Sequence, residues 1–255
     1  MIKSIRYAVA TLGMLLALPS TPAPAADLVV WSGGAVKSAV SEALADFAKS
    51  SGVKVTSDFA PMGALTKRLA ADPSATDIAI LSAEVMEDAI KRGWVQSGSV
   101  TEVGRVGVGV AVNEKAPSPD ISTPAAFKAT LLAAKSIVMI DPATGTSGKH
   151  LAEVFQRLGI AHDIKARTTY LAGGYVVEPV GRGEIELGLH QITEILPVKG
   201  IKLVGPLPSE LQKITIYQAA VSARPKNMES AKAFLVHLQT PAVRAFFANK
   251  GFMNP

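Results

Sequence analysis

Hydrophobic and polar positions along the chain follow two rhythms that alternate. Leu28-Val29-Val30-Trp31 is an apolar run of buried-strand type, punctuated by Gly33-Gly34. Val36, Val40, Leu44 and Phe47 then recur at helical spacing up to Ser50-Ser51-Gly52. Val53 to Phe59 alternates with period two and predicts a second strand. Pro61-Met62-Gly63 breaks it, and Leu65, Leu69 and Ala70 resume a helical face. Asp77 to Leu81 predicts a third strand, and a helix through Met86 and Ile90 runs on to Gly93. Strand and helix alternating at this spacing predict right-handed βαβ units and a parallel sheet.

The pattern then changes. Between Val103 and Val112, valine alternates with glycine over a long extended run, and a similar run, Ile214 to Val221, appears about a hundred residues later. Between them lies a second strand-and-helix set: Ser136 to Ile140, a helix from Gly148, and a strand at Ile185 to Leu189 leading into Gln191-Ile192-Thr193-Glu194. Only two helices follow, around 227–239 and 241–250. The expected fold is α/β with two lobes, each a mostly parallel sheet flanked by helices, joined by two crossover hinge strands. Lobe 1 is expected over 26–105, lobe 2 over 106–213, and a return to lobe 1 over 214–255. Ligands of such sheets bind beyond the carboxyl ends of the strands, here in the cleft between lobes.

Residues 1–25 follow another rule. Lys3 and Arg6 form a positive n-region, Tyr7 to Leu18 an apolar core too short to span a bilayer, and Ala23-Pro24-Ala25 a small-x-small cleavage pattern. A signal peptide cleaved after Ala25 is expected, and with it a periplasmic location. The chain has no cysteine, which suits export without disulfides.

Composition narrows the chemistry. The formal charge of +5, less Lys3 and Arg6, leaves +3 on scattered positions. No basic stripe interleaves with aromatic residues, so nucleic acid is not an expected partner. The four histidines, 150, 162, 190 and 237, show no metal-binding spacing, and neither a nucleophile elbow nor a phosphate-binding loop is present. No metal and no cofactor are expected, and the protein is expected to be a monomer.

Three loops follow strands and open helices: Ser32-Gly33-Gly34-Ala35, Ala60-Pro61-Met62-Gly63-Ala64, and Thr144-Gly145-Thr146-Ser147-Gly148. Helix starts present unpaired N–H groups and a partial positive charge, and glycine lets a ligand approach the backbone. Ser32, Gly33, Gly34, Met62, Gly63, Thr144, Thr146 and Ser147 are therefore expected ligand-binding residues, gripping a small anion across the hinge, and Gln191 joins them through the resemblance described below. His190, at a strand's carboxyl end, is the first acid/base candidate and His150 the second. Lys149 is read as solvated, Glu194 as a first-turn partner of the helix dipole, and His162 and His237 as structural.

The order of strands, the glycine loop after the first strand, Asp77-Ile78-Ala79-Ile80, Asp141-Pro142 and the Gly251-Phe252 ending together resemble the periplasmic molybdate-binding-protein-like group. These are type II solute-binding proteins of ABC importers. The resemblance covers roughly residues 27–252 and implies the hinge-closing two-lobe architecture, an oxyanion-sized site and an inner-membrane permease as partner. It also implies departures. Ala35 and Met62 stand where molybdate binders offer serine hydroxyls, and His190-Gln191 replaces a tyrosine. Each lost charge-assisted hydrogen bond costs about 1.5–3 kcal/mol, so an organic acid with several carboxylates is the expected ligand. Gly145 to Gly148, Gly188 to Glu194 and Gly205-Pro206-Leu207-Pro208 are similar to a divergent branch that includes periplasmic aconitate isomerase. The first expectation is capture of a di- or tricarboxylate for an importer. The alternative is a metal-free proton shift between cis- and trans-aconitate in the same cleft.

Overall fold

The computed structural model describes residues 27–253. The signal peptide predicted over residues 1–25 lies outside the described residues.

The first half of the chain builds β1 (Leu28–Gly33), α1 (Lys37–Ser51), β2 (Val55–Ala60), α2 (Met62–Ala71), β3 (Ile78–Ser82), α3 (Ala83–Lys91) and β4 (Thr101–Val106). It continues through β5 (Val108–Asn113), α4 (Pro124–Ala133), β6 (Ile137–Ile140), α5 (Thr146–Arg157), α6 (Ala161–Lys165), β7 (Thr168–Leu171) and α7 (Glu178–Gly181). The remainder is β8 (Leu187–Gln191), α8 (Ile192–Ile195), β9 (Ile201–Pro206), β10 (Thr215–Val221), α9 (Met228–Leu238) and α10 (Pro241–Asn249).

The strands form two five-stranded sheets, ordered β2-β1-β3-β10-β4 and β7-β6-β8-β5-β9. In each sheet the first three strands are mutually parallel, and the fourth is antiparallel to both its neighbours. That odd strand, β10 or β5, is the one through which the chain enters the sheet from the other lobe. Helices cover the apolar faces of both sheets. Leu28, Val30, Ile78 and Ile80 pack with Phe47 and Phe234 in lobe 1, and Val110, Ile137 and Met139 pack with Leu151 and Phe155 in lobe 2.

Asp77 explains why the return segment docks where it does. Its buried carboxylate accepts from the N–H of Val29 at 2.8 Å, and from those of Lys226 at 2.6 Å and Asn227 at 2.9 Å. One charged side chain thus fixes the β1–β3 pair to the start of α9.

Both crossings are short. The long valine–glycine run divides at Gly107, with β4 in one sheet and β5 in the other, and the return passes through residues 207–214 before β10 begins. The side-chain amide of Gln212 clips the two together. It donates to the Val108 carbonyl at 2.8 Å and accepts from the Val108 N–H at 2.9 Å. Gly107 leaves room for it, since a β-carbon there would lie 3.1 Å from the Gln212 amide nitrogen.

Candidate functional site

The carboxyl ends of β1, β2, β6 and β8 converge on the gap between lobes. A cavity of about 600 Å³, its open mouth included, lies there.

Lobe 1 supplies a floor that is mostly apolar and one cation. Gly34 begins a single 3-10 turn that leads into α1, whose first residue is Lys37. The Lys37 ammonium is 5.9 Å from the ring centre of Phe59 in lobe 1 and 5.5 Å from that of Tyr175 in lobe 2, distances at which the ring faces attract it. Met62 is buried beside the glycine loop, and its methyl group would be 2.6 Å from a β-carbon on Gly33. Its sulfur accepts the Ser82 N–H at 3.3 Å.

Lobe 2 supplies the polar wall. α5 starts at Thr146 and Ser147 with no side-chain cap on Gly145, so its first-turn N–H groups face the gap uncapped by any side chain of the described residues. Gly148 lets this helix lie against β6, because a β-carbon there would stand 2.4 Å from the Ile140 carbonyl oxygen. His190, at the end of β8, is 1 % exposed. Its Nδ1 is 3.2 Å from Ser147 Oγ, and its Nε2 is 3.3 Å from a carboxylate oxygen of Glu194 and 3.4 Å from the Gly174 carbonyl. Both partners of Nε2 are acceptors, so that nitrogen carries the proton. In the neutral ring Nδ1 is then an acceptor, and the Ser147 hydroxyl donates to it.

Tyr217 reaches the same cavity from β10 and is hydrogen-bonded to Thr146. Burial, with the Glu194 charge as a second cause, pushes its pKa well above the ordinary tyrosine range. The same two causes raise that of Tyr175, in the same order, so both phenols are neutral donors at physiological pH.

The lobes touch directly around the cavity. The Gly63 N–H donates to the Thr144 carbonyl at 3.1 Å, and the Thr193 hydroxyl donates to the Ala35 carbonyl at 2.6 Å.

Of the residues singled out in the sequence, Gly34, Met62, Thr146, Ser147 and His190 line the cavity. Gly63 and Thr144 form a lobe-to-lobe contact instead, Ser32 is buried beneath its loop, and Gly33 packs against Met62 and Tyr217. Gln191 lies behind Thr146, its amide donating to the hydroxyls of Thr146 and Thr215 at 3.3 and 3.2 Å. His150 is one turn deeper along α5 and takes no part in the cavity wall. Its Nε2 donates to the Leu211 carbonyl at 2.7 Å, tying α5 to the returning crossing. Lys37, Tyr175 and Tyr217 line the cavity without having been singled out, and Glu194 does more than complement a helix dipole.

Two α/β lobes with a cavity between them at the strand ends define a protein of the solute-binding class. The chain belongs to the bacterial extracellular solute-binding protein family, whose model matches residues 28–253. It is 34% identical over 237 residues to an aconitate isomerase from Pseudomonas sp, covering 89% of this chain and 88% of that protein. The molybdate-binding protein ModA of Escherichia coli K12 is 24% identical over 229 residues, covering 88% of each chain. Among solved structures, the periplasmic molybdate-binding protein of Azotobacter vinelandii shares the fold with a TM-score of 0.76 at 15% identity, covering 90% of this chain and 100% of that one. The molybdate-binding-protein-like group thus includes both this chain and an aconitate isomerase relative.

Proposed function

We propose that the protein is an isomerase that shifts a proton within an unsaturated tricarboxylate, interconverting cis- and trans-aconitate in the interlobe cavity. The observation that carries this reading is His190, buried in the cavity wall between Ser147 and Glu194 with its proton held at Nε2. A carrier needs donors for its ligand's oxygens. It has no need of a buried imidazole whose one accepting nitrogen is coupled to a hydroxyl at the cavity surface. The identity to an aconitate isomerase over most of both chains supports the same reading.

The step balances without an oxidant or reductant. A base takes a proton from the methylene carbon, and the electron pair spreads over the allylic carbons and the conjugated carboxylate. A proton then returns to the former vinyl carbon, moving the double bond and allowing the other geometry. Nδ1 of His190 accepts and returns the proton, through the Ser147 hydroxyl that covers it. The first-turn N–H groups of α5 and the phenols of Tyr175 and Tyr217 stabilise the charge that develops on the carboxylate. Lys37 holds a second carboxylate.

The fold by itself also suits capture and release of a di- or tricarboxylate for a membrane permease. Incubating the protein with trans-aconitate and separating the isomers decides between them: accumulation of cis-aconitate supports the isomerase, and binding without conversion supports the carrier.

A further inference from the structure

Thr146 also lines a second cavity of about 530 Å³, whose walls include Ser82, Glu84, Lys149, Lys213 and Thr215. Several of its polar groups lack partners among the described residues. Ser82 is 2 % exposed, stands at the N-cap of α3 and makes no capping bond, and its hydroxyl has no hydrogen-bond partner among the described residues. Buried hydroxyls are nearly always paired, so this one points to a missing group. The Thr146 and Thr215 oxygens both accept from the Gln191 amide, which leaves the Thr215 hydroxyl proton free to donate. Lys213 pairs with Glu84 at 2.6 Å, whereas Lys149, one turn into α5, has no ion-pair partner among the described residues.

Charge and spacing connect this space to the first cavity. The first cavity offers one lysine, Lys37, against the buried carboxylate of Glu194, which is too little to hold a trianion. The second offers two lysines against Glu84. Thr215 and Tyr217 are two residues apart on β10 and share a face, so the two compartments are separated along the strand by about 7 Å. That is within reach of the terminal carboxylates of a propane tricarboxylate skeleton.

We propose that the second cavity is a carboxylate-binding arm of the cleft, in which Lys149, Ser82 and Thr215 hold one terminal carboxylate of a tricarboxylate whose reacting carbons lie beside His190. This rests on the tricarboxylate reading given above. It makes Lys149 and Ser82 determinants of specificity for three carboxylates over two.

Calorimetry with two saturated, non-isomerisable probes tests it. Tricarballylate has all three carboxylates, and methylsuccinate lacks one terminal carboxylate. The wild type should bind tricarballylate at least ~10-fold more tightly, the scale of one charge-assisted hydrogen bond. Lys149→Gln and Ser82→Ala should each weaken tricarballylate by about that factor and change methylsuccinate less than about twofold. Equal effects on both probes, no effect on either, or equal wild-type affinities would overturn the arm. Aconitate turnover measured on the same samples separates the two ideas. Turnover with an indifferent Lys149→Gln removes the arm alone. A selective loss of tricarballylate in a protein that turns nothing over upholds the arm and removes the isomerase.

Discussion

A β-carbon on Gly34 would stand 2.8 Å from a carboxylate oxygen of Glu194, closer than such atoms approach in real proteins. The two residues belong to different lobes, so the missing side chain of one is what lets the carboxylate of the other enter the closed cleft beside His190. A side chain at position 34 would therefore meet the Glu194 carboxylate across the gap between lobes.

Gly34→Val should keep the cleft ajar. Ligand affinity should fall by about tenfold or more, while the stability of the free protein changes by no more than ~0.5 kcal/mol, as for substitutions outside the core. Calorimetry and small-angle scattering with and without ligand check this. A variant that still contracts on binding with wild-type affinity would remove the role assigned to Gly34.

The pair His190 and Glu194 is expected to act in turnover rather than in capture. His190→Gln keeps a polar side chain of similar reach but removes the imidazole base, so turnover should fall by ~10²–10⁴ with KM within a few fold. Glu194→Gln should lower kcat by at least ~10-fold. In the nitrogen spectrum of the imidazole it should also shift His190 away from a single Nε2–H form, because an amide can donate where a carboxylate only accepts. Raised KM with unchanged kcat in both variants would instead assign these residues to binding.

His150 gives a pH dependence of stability separate from the site. Burial lowers its pKa below the ordinary value of about 6.5, outweighing the bond to the Leu211 carbonyl. Below that ordinary value the unfolded chain takes up the proton more readily than the folded one. The stabilisation is therefore complete above about pH 6.5 and lost as pH falls toward the lowered folded value. His150→Gln retains a donor for Leu211 without this linkage, so its melting temperature should fall less than the wild type's between pH 7 and pH 5. Parallel acid limbs in the two proteins would contradict this.

Much of the architecture is legible in the residue pattern because alternation of period and position of glycine are local properties. β1 through α3, β6, α5, β8 and the last two helices all follow from them. What the residue pattern does not mark is where a crossover strand breaks between two sheets. Val106-Gly107-Val108 reads as one long strand crossing between lobes, and the pairing of β4 with β10 and of β5 with β8 and β9 shows that it breaks into two strands at Gly107. β7 and β9 escape notice because they are edge strands, with half-exposed residues and no strict alternation.

The site divides along the same line. Loops rich in glycine mark the helix starts, and His190 is placed by the end of its strand. Tyr217 is hidden within an apolar hinge run, and Lys37 looks like any surface lysine on a helix until Phe59 and Tyr175 are seen on either side of it. His150 and His190 are alike in sequence, and only the depth of each along its element separates a cavity wall from a brace.

Isomerisation moves a proton between carbon and a base, and solvent deuterium reads that event directly. Wild-type protein mixed with trans-aconitate in deuterium oxide should yield cis-aconitate in the proton spectrum, with loss of signal at the methylene and vinyl positions. His190→Gln should leave that spectrum unchanged at equal protein concentration. A wild type whose melting temperature rises with trans-aconitate, yet whose substrate shows neither the second isomer nor deuterium at carbon, would contradict the account and leave a binding protein in its place.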